Sequence, residues 1–310
     1  MEYAALGNTH LRVSRLGLGT VELGMPYGVG LPDPPPDSQC YRLLEAACHA
    51  GITFFDTAAA YGRSEEIVGR ALGGRPEVVV ATKVGIGRPD GPGPLQGAAL
   101  RRQLDESVGR SLRLLRADSL SLVQLHSLDP AWLTGDLLEA MADLSRRGWV
   151  RHWGASTYGE EAAAAVMALG EPFRALQVAY NALDRRLGRS ALPAARRAGL
   201  GIILRSAFLK GVLSERLHRL PASLAPLQRA ALRVEAVGQQ AGIPLPDLAL
   251  RFAAHSPLAD VALFGTASLA EMERNLAAWA AGPLPGDVLE ALQAIEVVPA
   301  DLLNPSTWGI

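Results

Sequence analysis

Apolar residues along the chain fall into short runs rich in Val, Ile, Leu and Phe, separated by longer stretches with three- and four-residue apolar spacing. The short runs cover 15–19, 53–56, 78–83, 120–126, 150–156, 175–180, 201–206 and 261–265. Runs of this length predict strands, and their near-continuous apolarity predicts burial on both faces. The stretches 38–50, 95–116, 131–147 and 226–241 put apolar side chains on one face of a 3.6-residue repeat, which predicts amphipathic helices. Gly51, Gly148 and Gly199 sit where helix C-caps would fall.

Alternating strands and helices require parallel strands joined by right-handed crossovers. Eight such units in one chain predict a (β/α)8 TIM barrel, with a doubly wound open sheet as the alternative. The open sheet calls for a glycine-rich phosphate turn. Gly17-x-Gly19, Gly28-x-Gly30 and Gly85-x-Gly87 all lack the third glycine, and Pro32 and Pro89 follow the last two. No Gly-Lys-Ser/Thr loop occurs, which excludes a P-loop. Ahead of the first strand, segments 3–6 and 11–14 flank Gly7-Asn8-Thr9-His10 and predict a β-hairpin placed to plug the bottom of the barrel. Segment 21–36, rich in Gly and Pro, predicts a long functional loop at the C-terminal end of the first barrel strand.

Length and composition narrow this further. A chain of 310 residues is long enough for two or three domains. One barrel of ~250 residues with a hairpin and rim loops also accounts for it, so 1–310 is expected to be a single domain. With 49% apolar and 20% charged residues the chain is not disordered. Thirty basic against 31 acidic residues leaves no basic excess to attract nucleic acid or an anionic membrane. No apolar run reaches the ~18 residues of a membrane span, and Met1-Glu2-Tyr3 opens no signal peptide, so a cytoplasmic protein is expected. Cys40 and Cys48, eight residues apart on one predicted helix, are ~12 Å apart at ~1.5 Å rise, too far for a disulfide.

Active sites of such barrels lie at the C-terminal strand ends. Those ends carry Asp56, Lys83 and His126 on the second, third and fourth strands, with Tyr61 in the loop after Asp56. Taken singly, each has an ordinary explanation: a helix cap, a solvated ammonium, a structural imidazole, a packed phenol. Together they bring an acid, a base and two proton donors to one face. Of six histidines only His126 ends a strand, so the cluster a metal-dependent barrel hydrolase needs is missing and no metal site is expected.

The segment Phe54-Phe55-Asp56-Thr57-Ala58-Ala59-Ala60-Tyr61-Gly62-Arg63-Ser64-Glu65-Glu66 resembles the signature of the aldo-keto reductase superfamily, as do Ala81-Thr82-Lys83 and Leu125-His126. The resemblance runs from the Leu6-Gly7 hairpin to Asn275 and implies the same barrel fold. It implies interconversion of a carbonyl and an alcohol by hydride transfer with NADP(H) or NAD(H), Tyr61 acting as general acid and base. An ammonium ~4 Å from a phenol is worth ~4 kcal/mol at an effective dielectric of ~20, which suits Lys83 to promote proton loss there. Asp56 would hold Lys83 charged, and His126 would orient the carbonyl oxygen.

The resemblance also implies a cofactor site. Gly154-Ala155-Ser156-Thr157 is similar to the family's Gly-x-Ser-Asn, with Thr157 in place of Asn, and with Gln177 it would hold the nicotinamide carboxamide. Arg205, where many members stack an aromatic ring on the nicotinamide, begins the stretch Ser206, Lys210 and Gly211 that would wrap the pyrophosphate. Gly265, Thr266, Ser268, Glu271 and Asn275 match the adenosine-binding loop and helix. Positions 265–273 contain no cation to meet a 2′-phosphate, so more NAD use is expected than is usual for the family. Met25, Tyr27 and Trp308 are the expected substrate contacts, the substrate being a small carbonyl compound or sugar. A monomer or weak homo-oligomer is expected. The same pattern also occurs in cofactor-binding regulatory subunits such as potassium-channel β subunits, which leaves that class as the alternative.

Overall fold

The structure is a computed structural model and describes residues 1–30, 33–87, 93–296 and 298–308, Ser306 without its side chain. Leu31 and Pro32 of the expected 21–36 loop, and Pro89, lie outside the described residues. Two short strands, β1 (Tyr3–Ala5) and β2 (Arg12–Ser14), pair antiparallel as the expected hairpin. Eight parallel strands follow: β3 (Leu16–Gly19), β4 (Phe54–Asp56), β5 (Val79–Val84), β6 (Leu122–Leu125), β7 (Trp153–Thr157), β8 (Phe173–Ala179), β9 (Gly201–Arg205) and β10 (Val261–Gly265). They close in sequence order, β10 pairing with β3, so the molecule is a TIM barrel.

Strand parity explains what fills the barrel. Phe54, Val79, Ala81, Leu122, Ala175, Ile203, Val261 and Leu263 form one buried cluster, the barrel interior. Their neighbours Phe55, Val123, Leu125, Leu176, Val178, Ile202, Leu204 and Phe264 join a second cluster between the strands and the helices. Successive side chains point to opposite faces. Counting in twos from the interior set therefore leads to Asp56, Lys83, Gln124, Gln177, Arg205 and Gly265 at the C-terminal end. The hairpin closes the other end. Leu6 enters the interior cluster, Gly7 N–H donates to Asp260 Oδ2 at 3.2 Å, and Asn8 N–H donates to the Gly199 carbonyl at 2.9 Å. A Cβ on Gly201 would lie 2.7 Å from Leu6 Cγ, so the plug fits only against glycine.

The expected helices are present as Asp37–His49, Gly97–Leu115, Gly135–Arg146 and Ala225–Ala241. The third starts four residues later than its apolar spacing predicts, because Thr134 caps it and Pro130–Trp132 forms a separate 3-10 turn capped by Asp129. Ser64–Leu72, Gly159–Leu169, Ala191–Arg197, Leu245–Ala254 and Leu269–Ala280 supply further crossovers and rim. Gly159–Leu169 escapes a periodicity argument because its alanine run gives it no contrasting faces. Segment 21–36 opens with a helical turn, Val21–Gly24. Gly51, Gly148 and Gly199 have φ of +87°, +72° and +77°, as C-caps require.

Candidate active site

A cleft open to solvent occupies the C-terminal end of the barrel. Its floor is built by strand parity. Asp56 and Lys83 end inward on adjacent strands and are buried at 4% and 1% exposure. Lys83 Nζ donates to Asp56 Oδ2 at 2.5 Å and to the Thr57 carbonyl at 3.0 Å. Asp56 Oδ1 accepts from Gln177 Nε2 at 2.7 Å and from Gln124 Nε2 at 3.2 Å. Burial works against the Lys83 ammonium, but the charge of Asp56 and the hydrogen bond to it hold the Lys83 pKa above the ordinary lysine value.

Tyr61 lies over this pair, Lys83 Nζ being 4.9 Å from its ring centroid. Its ring meets that of His126 edge-on, centroids 5.6 Å apart. Asp56, Tyr61 and His126 line the cleft and Lys83 is sealed behind them. Burial, then the positive charges of Lys83 and Arg205, pull His126 down to about 3. The imidazole is therefore neutral near pH 7 and one nitrogen carries a hydrogen to donate.

The loop carrying Tyr61 is fixed from two sides. A Cβ on Gly24 would fall 2.1 Å from the Tyr61 carbonyl oxygen, and one on Gly62 2.3 Å from the Gly24 oxygen, so two backbones meet with no room for a side chain. Buried Ser64 places its Oγ 2.7 Å from Thr20 Oγ1 and 2.9 Å from Thr57 Oγ1. Thr20 Oγ1 donates to the Asp56 carbonyl at 3.0 Å. These hydroxyls tie the ends of β3 and β4 to the start of helix Ser64–Leu72.

The expected cofactor residues divide. Ser156, Gln177, Arg205, Ser206, Lys210, Gly211, Gly265, Glu271 and Asn275 line the cleft, whereas Thr157, Thr266 and Ser268 do not. Thr157 follows Ser156 in β7 and so has the opposite parity; its Oγ1 is buried without a hydrogen-bond partner. Ser268 caps the helix Leu269–Ala280, accepting from Glu271 N–H at 3.4 Å, and Thr266 Oγ1 donates to the Glu271 carboxylate at 2.6 Å. Among the non-glycine residues with left-handed backbone are Ser206, Leu209 and Lys210, φ 64°, 46° and 56°. Each costs ~1–2 kcal/mol, and such strain gathers where a ligand is held. The strained loop runs along one wall of the cleft, with Ser206, Leu209 and Lys210 all in its lining. Of the expected substrate contacts Tyr27 lines the cleft; Met25 and Trp308 do not. The Trp308 indole instead donates to the Leu302 carbonyl at 3.1 Å within a C-terminal apolar cluster.

Sequence reasoning missed Glu22, Tyr158, Arg216 and Arg274, which also line the cleft. Glu22 follows the end of β3 by three positions, so the strand-end rule would have found it. Arg216 and Arg274 lie outside 265–273, yet Arg216 reaches Glu271 at 3.9 Å and Arg274 pairs with Glu215 at 3.0 Å. Burial, partly relieved by Arg216 and reinforced by Glu271, pushes the Glu22 carboxyl up to about 7. Among the described residues no His, Cys, Asp and Glu grouping could hold a metal ion, and no helix is long and apolar enough to cross a membrane.

A closed parallel barrel with an acid, an ammonium, a phenol and an imidazole gathered at its C-terminal end has the form of a barrel enzyme. The chain belongs to the aldo/keto reductase family, whose model matches residues 15–297. It is 34% identical over 253 residues to the uncharacterized oxidoreductase YrpG of Bacillus subtilis, covering 75% of this chain and 74% of that protein. It is 27% identical over 327 residues to a probable voltage-gated potassium channel subunit beta of Oryza sativa, covering 95% and 96%. Among solved structures, the holo form of the aldo-keto reductase AKR11C1 from Bacillus halodurans superposes with a TM-score of 0.78 at 25% identity, covering 96% of this chain and 98% of that one.

Proposed function

We propose that the protein interconverts a small carbonyl compound or sugar and the corresponding alcohol, using Tyr61 as general acid and base and NADP(H) or NAD(H) as redox partner. The observation that carries this is that Tyr61, His126 and Asp56 face one cleft, with Lys83, ion-paired to Asp56, sealed behind them. When bound, the reduced nicotinamide supplies the hydride. Tyr61 gives its hydroxyl proton to the oxygen that becomes the alcohol, and the Lys83 ammonium stabilises the phenolate left behind. Asp56 keeps Lys83 charged and in place. Neutral His126 donates to the carbonyl oxygen and fixes its approach.

Ser156 and Gln177 would hold the carboxamide. Ser156 Oγ donates to Gln177 Oε1 at 3.4 Å, which sets the two side chains side by side in the cleft. Ser206, Lys210 and Gly211 would follow the pyrophosphate, and Gly265, Glu271 and Asn275 the adenosine. We infer more use of NAD than is usual for the family. Glu271 stands in the cleft, and Arg216 and Arg274 are already turned toward Glu271 and Glu215. A 2′-phosphate would have to displace those carboxylates. We read 1–310 as one domain, a monomer or weak homo-oligomer in the cytoplasm, a reducing setting that suits the free thiols of Cys40 and Cys48.

The second reading, a cofactor-binding regulatory subunit with little turnover, is favoured by the likeness to the rice channel subunit. Tyr61→Phe tests the first. Loss of a general acid is worth ~10²–10⁴-fold, so turnover of any accepted carbonyl should fall by at least ~100-fold while coenzyme affinity holds. Near-normal turnover in that variant overturns the assignment.

A further inference from the structure

Lys83 and Gln124 are register partners on β5 and β6, so both side chains point into the barrel at the same level. Gln124 is fully buried and does not line the cleft. Its Nε2 donates to Asp56 Oδ1 at 3.2 Å, across to a strand two places away. Gly154, its register partner on β7, leaves the space: a Cβ there would lie 3.2 Å from Gln124 Cγ. Two positions back along their strands, Ala81, Leu122 and Ala175 belong to the apolar barrel interior. An amide beside such a layer is costly unless it is bonded. Only one end of this amide is bonded, since Gln124 Oε1 is buried with no hydrogen-bond partner among the described residues. Asp56, ion-paired to Lys83, can only accept, so the amide must present its N–H. Packing alone would be served by leucine or methionine; the bond to Asp56 is what glutamine adds.

Asp56 divides its carboxylate between two kinds of donor. Oδ2 accepts from Lys83 Nζ at 2.5 Å, and Oδ1 accepts from the amides of Gln124 and Gln177. Donors on Oδ1 stabilise the carboxylate charge and weaken its pull on the Lys83 proton. More of the ammonium's charge is then left for Tyr61, whose ring centroid is 4.9 Å from Nζ. Gln177 faces the cleft and is shared with Ser156, whereas Gln124 is sealed off from it. The other groups around Tyr61 hold their charge state across neutral and mildly alkaline pH. His126, just past β6, is pulled down to about 3 and stays neutral. Burial, reinforced by Tyr61, holds the Tyr27 phenol above its ordinary value. Arg205, which acts on both, is always charged.

We propose that Gln124 is a positioning residue for the reaction: its amide on Asp56 leaves the Lys83 charge directed at Tyr61 and so sets the pH range over which Tyr61 gives up its proton. This rests on the role of Tyr61 proposed above.

Phenolate formation is followed by ultraviolet absorbance against pH for the wild type, Gln124→Met and Gln124→Asn, each corrected by its Tyr61→Phe counterpart. Methionine keeps the unbranched length without the donor; asparagine keeps the amide but is one methylene short. For any accepted carbonyl, kcat/KM is measured against pH at saturating coenzyme, and coenzyme affinity by fluorescence. Reduction needs the protonated phenol, so kcat/KM falls as it ionises. Both variants should move the Tyr61 phenolate midpoint and the alkaline limb of kcat/KM upward together by about 0.5–1 pH unit, roughly a three- to tenfold change in the proton equilibrium. Coenzyme affinity should be unchanged. A merely structural amide would lower stability or kcat and leave both midpoints in place. That result overturns the proposal, as does a downward shift or the failure of both variants to fold. If the phenolate midpoint moves in the variants while the wild type reduces no carbonyl, the positioning role stands and the carbonyl-reducing function fails.

Discussion

Lys83 is an ammonium with 1% exposure, tolerable only because Asp56 and the Thr57 carbonyl surround it. Removing one member of a buried ion pair leaves the other uncompensated, at a cost of ~3–5 kcal/mol. Lys83→Met should therefore lower unfolding stability by about that amount in urea denaturation, besides abolishing turnover. His126 gives a pH signature. Its folded value, about 3, lies below the ordinary 6.5, so the unfolded chain takes up the proton first as pH falls. The contribution is complete above pH 6.5 and lost progressively between 6.5 and about 3. His126→Gln should flatten the acid side of a plot of urea midpoint against pH across that window; an unchanged slope would contradict the buried neutral imidazole. Asp56, Lys83 and His126 were legible in the sequence because each lies at the end of an apolar run, and Tyr61 because it stands in the loop after Asp56. Gln124 and Ser64 were not, since a glutamine inside an apolar strand and a serine at a helix start carry no chemistry until their partners are known.

Between elements, the decisive contact joins the turn Val21–Gly24 to the loop carrying Tyr61. Gly24 and Gly62 meet backbone to backbone, and Arg63 N–H donates to the Gly24 carbonyl at 3.2 Å. Gly24→Ala would drive a methyl group against the Tyr61 carbonyl, so the loop must shift. A misplacement of ~1 Å at a reacting group costs ~100-fold. Gly24→Ala should lower kcat by at least tenfold with coenzyme affinity little changed; normal kcat would mean that the turn does not position Tyr61. The strands were readable because parallel strands buried on both faces are continuous apolar runs, and β10 matches its expected limits, 261–265. Helix Gly159–Leu169 was not, because alanine fits every face. The Gly24–Gly62 contact joins residues distant in sequence and leaves no local pattern.

At the scale of the whole molecule, near-neutral net charge is repeated locally: where an adenosine would lie, Glu271 faces Arg216 and Glu215 pairs with Arg274. The cation-free stretch 265–273 was legible, but the arginines that the fold brings to it, Arg216 and Arg274, come from outside that window. Glu271→Arg should therefore improve NADPH affinity by at least tenfold relative to NADH, measured by fluorescence titration; a hundredfold wild-type preference for NADPH would contradict Glu271 as the obstacle to a 2′-phosphate. Closure of eight strands converts residues scattered from 56 to 275 into one site, and that site makes a single chemical claim. Its most direct test is a panel of carbonyl compounds incubated with NADH and NADPH deuterated at the transferring C4 position, with the alcohol products examined by mass spectrometry. Direct transfer predicts one deuterium on the former carbonyl carbon of an accepted substrate with the wild type and almost none with Tyr61→Phe. Coenzyme bound tightly, with no labelled alcohol from any carbonyl, would contradict it.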